Sequence, residues 1–282
     1  MTALANLLAA PRFELVPFRG AEEEAASLPD AATVTVTCSP RRGIEATVEL
    51  ARRLAGHGFT AVPHLVARLV EGRGHLEDMV GRLANAGVTK VFVIGGDLSE
   101  PVGPYDSALD VLGALEEMGR PFPSMGVAGY PERHPFIDAN VLVQALLDKQ
   151  RFADHIVTQI CFEPDRIISW LQGIRRRGVT IPVHVGLPGA VSRRKLLEIA
   201  LRIGVGDSTR YLTKHGSLVA RMMRRASYRP DAVLAGLAAA PARLGIAGLH
   251  LNTFNQVRST ERWRHRAIEA SRWSVHQDET SA

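Results

Sequence analysis

Lys90-Val91-Phe92-Val93-Ile94 runs into Gly95-Gly96-Asp97, then an amphipathic stretch over 106–118, then Ser124-Met125-Gly126-Val127-Ala128. The two short runs are apolar and bounded by turn residues, as buried strands are, and the segment between them has its apolar residues at helical spacing. Strand, helix and strand in this order predict a right-handed βαβ unit with parallel strands. The alternation continues in both directions. Upstream, 12–17, 33–38 and 60–65 read as strands, with helices over 43–56 and 75–86. Downstream, strands fall at 155–160, 180–185 and 245–251. Helices fall at 137–151, 164–177, 192–203, 208–225, 230–242 and 256–272. Pro164 suits the first turn of its helix. Eight such strands predict an α/β fold of the (β/α)₈ TIM-barrel type, with extra helices before the last strand. A doubly wound open sheet is the alternative. Residues 1–282 are expected to form one catalytic barrel domain, with a frayed polar tail over about 274–282.

Composition agrees with one barrel and excludes other classes. The chain has 282 residues, and such barrels take about 250. Hydrophobic residues make up 46% and charged residues 22%, enough apolar content for a sizeable core and too much for a disordered chain. Two cysteines, Cys38 and Cys161, cannot make a disulfide scaffold. No apolar run reaches the roughly 18 residues of a membrane span. Residues 1–11 lack the basic start and apolar stretch of a signal peptide, so a cytoplasmic location is expected. The net charge of +5 suits an anionic partner. The basic clusters at 175–177, 193–195, 224–225 and 258–266 are scattered over predicted helices. They read as solvated faces rather than a nucleic-acid surface.

In a barrel of this kind the active site lies where the strands end. The polar residues at those positions are Thr37, His64, Asp97, Tyr130, Glu132, His134, Gln159, His184, His250, Asn252 and Asn255. Glu14 is unusual because it lies inside the first strand, between apolar neighbours. A carboxylate there faces the barrel interior or the helix layer. Both are costly unless it is paired or neutral. Desolvation is expected to raise its pKa, as a general acid requires. A strand-edge salt bridge to a surface arginine is the alternative. Gly95-Gly96 lets the backbone turn tightly before Asp97, which could equally be an ordinary turn or cap residue. His64 and His184 lack a ligand-spaced neighbour and read as hydrogen-bonding groups, so no metal is expected. Gly204-Val-Gly206-Asp207-Ser208 opens a predicted helix and could cradle a phosphate. Cys161 reads as a small core residue.

Taken in order, these motifs resemble the methylenetetrahydrofolate reductase family over most of the chain. Phe13-Glu14 with Pro17, Val36-Thr37, Pro63-His64-Leu65, Gly96-Asp97 and Thr158-Gln159 each match a strand-end motif. So does Gly248-Leu-His250-Leu-Asn252-Thr253. The most specific piece is Tyr130-Pro131-Glu132-Arg133-His134-Pro135. The resemblance implies NAD(P)H-dependent reduction of 5,10-methylenetetrahydrofolate to 5-methyltetrahydrofolate. Glu14 would be the general acid and Asp97 would stabilise the iminium cation. Gln159, Tyr130 and Phe254 would bind the substrate. Thr37, His64, Gly96, Ala128, Tyr130, His134 and Lys149 would line the cofactor site.

The chain departs from the family pattern in three places. Gly95 replaces the arginine of Arg-Gly-Asp, Leu142 stands near a usual aspartate, and Val66-Ala67 follow Pro-His-Leu. These losses weaken a flavin site, since charge-assisted bonds to phosphate are the strong ones. The reading favours direct hydride transfer from NADH or NADPH. An FAD-containing ping-pong enzyme and a non-catalytic barrel subunit are the alternatives. A homo-oligomer is open.

Overall fold

Period-two burial along each strand sets the architecture, because side chains alternate between the two faces of a sheet. The structure is a computed structural model, which describes residues 3–39, 41–132, 134, 137–192, 229–240 and 242–280. Its strands are β1 (Arg12–Leu15), β2 (Thr33–Val36), β3 (Thr60–Val66), β4 (Lys90–Ile94), β5 (Ser124–Gly129), β6 (His155–Thr158), β7 (Val183–Pro188) and β8 (Ile246–Asn252). They close into a barrel in chain order, every pair parallel, with β8 returning to β1. The open-sheet alternative is thereby excluded.

The helices are α1 (Ala3–Ala9), α2 (Ala21–Ala25), α3 (Gly43–Gly56), α4 (Arg73–Asn85), α5 (Ala108–Glu117), α6 (Ala139–Lys149), α7 (Pro164–Arg176), α8 (Asp231–Ala238) and α9 (Val257–Thr280). Helix α3 shows why they form. Ile44, Val48, Ala51 and Leu54 recur at helical spacing and are buried, so one stripe packs on the sheet. Gly58, in the left-handed region at φ 86, lets the chain reverse into β3. Helix α5 opens on a capping box between Ser107 and Asp110.

The barrel has two interiors of different chemistry. Phe13, Leu15, Val34, Val36, Leu65, Val91, Val93, Val127, Val185 and Leu251 face outward into the helix layer and form the main core. Val62, Phe92 and Val157 form a separate small apolar cluster, with Ile94 and Ala128 against it. The remaining alternate positions include Arg12, Glu14, Thr35, His64, His155, His184, His250 and Asn252. The barrel lumen is therefore half polar, which is costly unless those groups partner one another. Gly126 makes this possible, because any Cβ there would collide with the His155 ring.

The predicted strands hold with small shifts, the largest in β7, which begins at Val183 rather than 180. Pro182 has no N–H for the ladder, so pairing starts after it. The predicted helix over 256–272 instead runs on as α9 to Thr280. Residues 274–280 contain neither Gly nor Pro to stop it, so the polar tail is helical there. Helices α1 and α2 were not predicted. Arg264 of α9 donates to the Leu8 carbonyl at 2.9 Å and so caps α1. The predicted helices over 192–203 and 208–225, and the glycine-containing stretch 204–208, lie outside the described residues except for Ser192. So do the basic clusters 193–195 and 224–225.

Candidate active site

Glu14 faces the barrel interior. It is one step from the C-terminal end of β1, and its register partners are Thr35 on β2 and Asn252 on β8. His250 Nε2 donates to Glu14 Oε2 at 3.1 Å, and His64 Nε2 lies 3.8 Å from the same oxygen. Among the described residues no arginine pairs with it. Burial pushes the Glu14 carboxyl up, as the sequence predicted. The hydrogen bond from His250 and the fields of His250 and His64 push it down, and the downward effects win. The expected raised pKa is thus corrected: Glu14 sits below the usual carboxylate range because an imidazole 236 residues away donates to it.

The backbone of Glu14 is clasped from β8. The Thr253 hydroxyl donates to the Glu14 carbonyl at 2.6 Å. Asn255 uses its whole carboxamide on Val16, accepting from the N–H at 2.8 Å and donating to the carbonyl at 2.9 Å. Phe254 and Asn255 both adopt left-handed backbone, φ 50 and 58. Two consecutive non-glycine residues there are costly, and the clasp on β1 is what the conformation secures. Phe254 lies in this turn, between the two residues that bind β1.

Asp97 follows β4 and is exposed. Gly96 before it has φ 102, and a Cβ there would lie 2.5 Å from Val66 Cγ1, so only glycine fits. Tyr130, after β5, feels the charge of Asp97. Burial and that charge both raise its phenol pKa, so it stays a neutral donor. His134 stands edge-on to Tyr130, ring centroids 5.3 Å apart. Gln159, exposed just after β6, accepts the Ile160 N–H at 2.9 Å on its carboxamide oxygen. Thr37 follows β2, and its backbone N–H donates to the Leu15 carbonyl. Ala128 borders the small apolar cluster of the lumen, and His64 meets Phe92 edge-on at 4.7 Å.

The structure thus gathers Glu14, Thr37, His64, Gly96, Asp97, Ala128, Tyr130, His134, Gln159 and Phe254 at one end of the barrel. It does not bring Lys149 there. Helix α6 descends from Ala139 near that end, and Lys149 closes it about 15 Å lower. Residues just after it lie by the opposite face, where Arg120 binds the Phe152 carbonyl and Asp154. Burial lowers the Lys149 pKa. Cys161 is buried, and its thiol donates to Glu132 at 3.2 Å; burial pushes its pKa up, so it is no thiolate nucleophile. Among the described residues no group of three or more His, Cys, Asp or Glu is arranged to hold a metal.

Two supporting residues escaped the sequence reading. Arg12 is one; period two from Glu14 would have placed it in the lumen. The other is Arg68, in a short 3₁₀ turn over Ala67–Leu69. It donates to the carbonyls of Leu98, Ser99 and Asp106 and pairs with the Asp106 carboxylate at 2.7 Å. It ties down the loop that carries Asp97. Arg68→Ala is expected to cost about 1–3 kcal/mol and to expose 98–106 to amide exchange and proteolysis. Unchanged exchange in that loop would remove this role.

Comparison with known proteins places this geometry. The methylenetetrahydrofolate reductase family model matches residues 22–201, well over half of the chain. The chain belongs to the methylenetetrahydrofolate reductase family. Glu14 and His250 lie outside the matched span. Methylenetetrahydrofolate reductase 2 of Saccharomyces cerevisiae is 26% identical over 123 residues, which is 40% of this chain and 20% of that protein. Methylenetetrahydrofolate reductase 1 of Schizosaccharomyces pombe is 38% identical over 65 residues, 22% of this chain and 11% of that protein. The matches thus span a fifth or less of these curated relatives. A Clostridium thermocellum protein, described as binding two copies of 5-methyl-5,6,7,8-tetrahydrofolic acid, shares the fold at TM-score 0.59 and 11% identity. The match covers 94% of each chain. Among the described residues of this methylenetetrahydrofolate reductase family member, no helix is long and apolar enough to cross a membrane.

Proposed function

We propose that the chain reduces 5,10-methylenetetrahydrofolate to 5-methyltetrahydrofolate with NADH or NADPH as the hydride source. The observation that carries this reading is the buried Glu14–His250 pair, set beside Asp97 and Tyr130 at the strand ends of a barrel of this family. The nicotinamide cofactor supplies a hydride when bound. Thr37, His64, Gly96, Ala128, Tyr130 and His134 would hold it, and the apolar floor of Val62, Phe92 and Val157 suits a flat ring.

The residues act on the folate as follows. The Glu14–His250 pair, loaded with one proton beyond carboxylate and neutral imidazole, delivers it through Glu14 to the ring nitrogen as the five-membered ring opens, and solvent reloads the pair after the product leaves. The donor is thus the pair rather than an isolated neutral carboxyl. Asp97 places negative charge beside the iminium cation at the moment it forms. Tyr130 and Gln159 hydrogen-bond and orient the pterin, with Phe254 alongside.

A tightly held flavin does not fit the residues present. Lys149 lies at the far end of α6, and Arg68 is spent on its own loop. The protein purified without added flavin is expected to be colourless and to oxidise NADH only when methylenetetrahydrofolate is supplied. A protein carrying flavin absorption bands would overturn the flavin-free reading. A colourless, folded protein without folate-dependent NADH oxidation would overturn the reductase reading.

A further inference from the structure

Among the described residues five buried side-chain nitrogens or oxygens have no protein partner. Four of them lie on the strands: Thr35 Oγ1, His64 Nε2, His184 Nδ1 and His250 Nδ1. A buried polar atom is costly unless something meets it. The two on β7 and β8 face a common space. His184 pairs in register with Gly248, and His250 is the next position of β8 on the same face. A Cβ built on Gly248 would lie 3.2 Å from His184 Nδ1 and 3.6 Å from its Cε1, with no other described atom beyond its chain neighbours within 4 Å. His184 Nδ1 therefore looks over the bare face of Gly248. His250 Nε2 is turned onward to Glu14, which lies one lumen step further along, opposite Asn252. The two ring nitrogens of an imidazole face nearly opposite ways, so His250 Nδ1 points back toward Gly248. The charge of His250 is also among those that act on His184.

The partners of the two rings fix where their protons sit. A guanidinium has donors only. The 3.1 Å contact from Arg12 to His184 Nε2 therefore makes that nitrogen an acceptor and puts the one proton of the ring on Nδ1. Burial, then the charges of Arg12 and His250, hold His184 down to about 3, so the ring is neutral near pH 7. Glu14 is a carboxylate and accepts only, so neutral His250 carries its proton on Nε2 and offers a lone pair on Nδ1. One unpartnered nitrogen is thus a donor and the other an acceptor, across a position where β8 puts no side chain. One water satisfies both: it accepts from His184 Nδ1–H and donates to His250 Nδ1. It also serves the loaded pair, because it can turn and accept from His250 Nδ1–H, which no fixed side-chain donor could do.

We propose that His184 is a positioning residue for the Glu14–His250 pair: its Nδ1–H, through one water seated on Gly248, holds His250 Nδ1 and keeps that ring turned with Nε2 on Glu14. The effect on turnover rests on the reductase reading. The hydrogen-bonded link itself does not.

The test is nitrogen-15 NMR of protein labelled in its histidine rings, at a pH near 9 where the extra proton is off the pair. The two residues are assigned by the signals lost in His184→Leu and His250→Gln. In the unmodified protein His184 is expected as the Nδ1–H tautomer, the minor one of free histidine. His250 is expected as the Nε2–H tautomer, with Nδ1 shifted upfield as a hydrogen-bonded acceptor is. In His184→Leu that upfield shift is expected to be lost. Gly248→Ala, whose methyl takes the place of the water, is the second variant and is expected to lose it too. In both, kcat for folate-dependent NADH oxidation is expected to fall about 10- to 100-fold, as when other histidine-orienting partners are removed, with KM unchanged. His184→Gln, which offers an acceptor to Arg12 and an N–H to the water, is expected to keep the shift and most of the rate. A His184 that carries its proton on Nε2 in the unmodified protein overturns the proposal without any variant. So does a His250 Nδ1 that stays in place in a folded His184→Leu or Gly248→Ala protein, and so does an unchanged kcat where the shift is lost. If the shifts behave as expected and the unmodified protein shows no folate-dependent NADH oxidation, the reductase reading fails and the link stands.

Discussion

Glu14→Gln is expected to lower turnover with methylenetetrahydrofolate by about 10²- to 10⁴-fold, the usual contribution of a positioned proton donor. Glutamine keeps the shape, and its carboxamide oxygen still accepts from His250 Nε2, so the lumen stays packed. What it lacks is a site that can take a proton and give it away. The loss should appear in kcat as well as kcat/KM, because the carboxylate acts on the transition state and not on the resting substrate alone. NADH oxidation at saturating substrate, paired with a thermal melt, checks this. Turnover near the unmodified level in a folded Glu14→Gln protein would sink the assigned role.

The second large effect is on stability against acid. His64, His155 and His184 are held near 4, 2 and 3 in the folded chain by burial, against 6.5 for an ordinary histidine. These are depressed bases, so the sign runs as it does for buried neutral histidines generally. Above pH 6.5 both folded and unfolded chains leave them neutral, and their contribution is complete. Below 6.5 the unfolded chain takes up protons that the folded chain refuses, and stability falls as the pH drops toward the folded values. Three such groups, each worth about 1.4 kcal/mol per pH unit, remove about 4 kcal/mol between pH 7.5 and 5.5. That is a large part of the roughly 5–15 kcal/mol that holds a domain together. Guanidinium unfolding across this range is the measurement. A stability independent of pH from 7.5 to 5.5 would show that these imidazoles take up protons inside the barrel.

The parts that the sequence made legible are those set by local pattern. Helix α3 and strand β4 appear over the predicted residues, because an amphipathic stripe or a β-branched run bounded by glycines needs no distant partner. Glu14 could be singled out as an anomaly from three neighbours. Its direction and its proton affinity could not, because both are set by His250 and His64 from other strands. The predicted rise in its pKa considered burial alone. Lys149 matched by spacing along the chain, but a helix between two strands carries its last turn to the opposite face. Arg68 gave no local signal, since its carbonyl partners lie 30 or more residues away. Helix α1 has too few residues for a period to show, and its end is capped from α9.

The clasp between β8 and β1 also sets an order in time. Glu14 leaves the ribosome before its partners, for His250, Thr253 and Asn255 come about 240 residues later. The side-chain hydrogen bonds that Glu14 accepts from His250 and Thr253 span nearly the whole described chain. Closing so long a loop is among the last things a folding chain does, since its entropy cost must be met before the contacts it brings. A nascent chain that has built seven strands therefore carries the glutamate but not the imidazole and hydroxyl that give it a purpose. Closing the barrel and arming the site are one event.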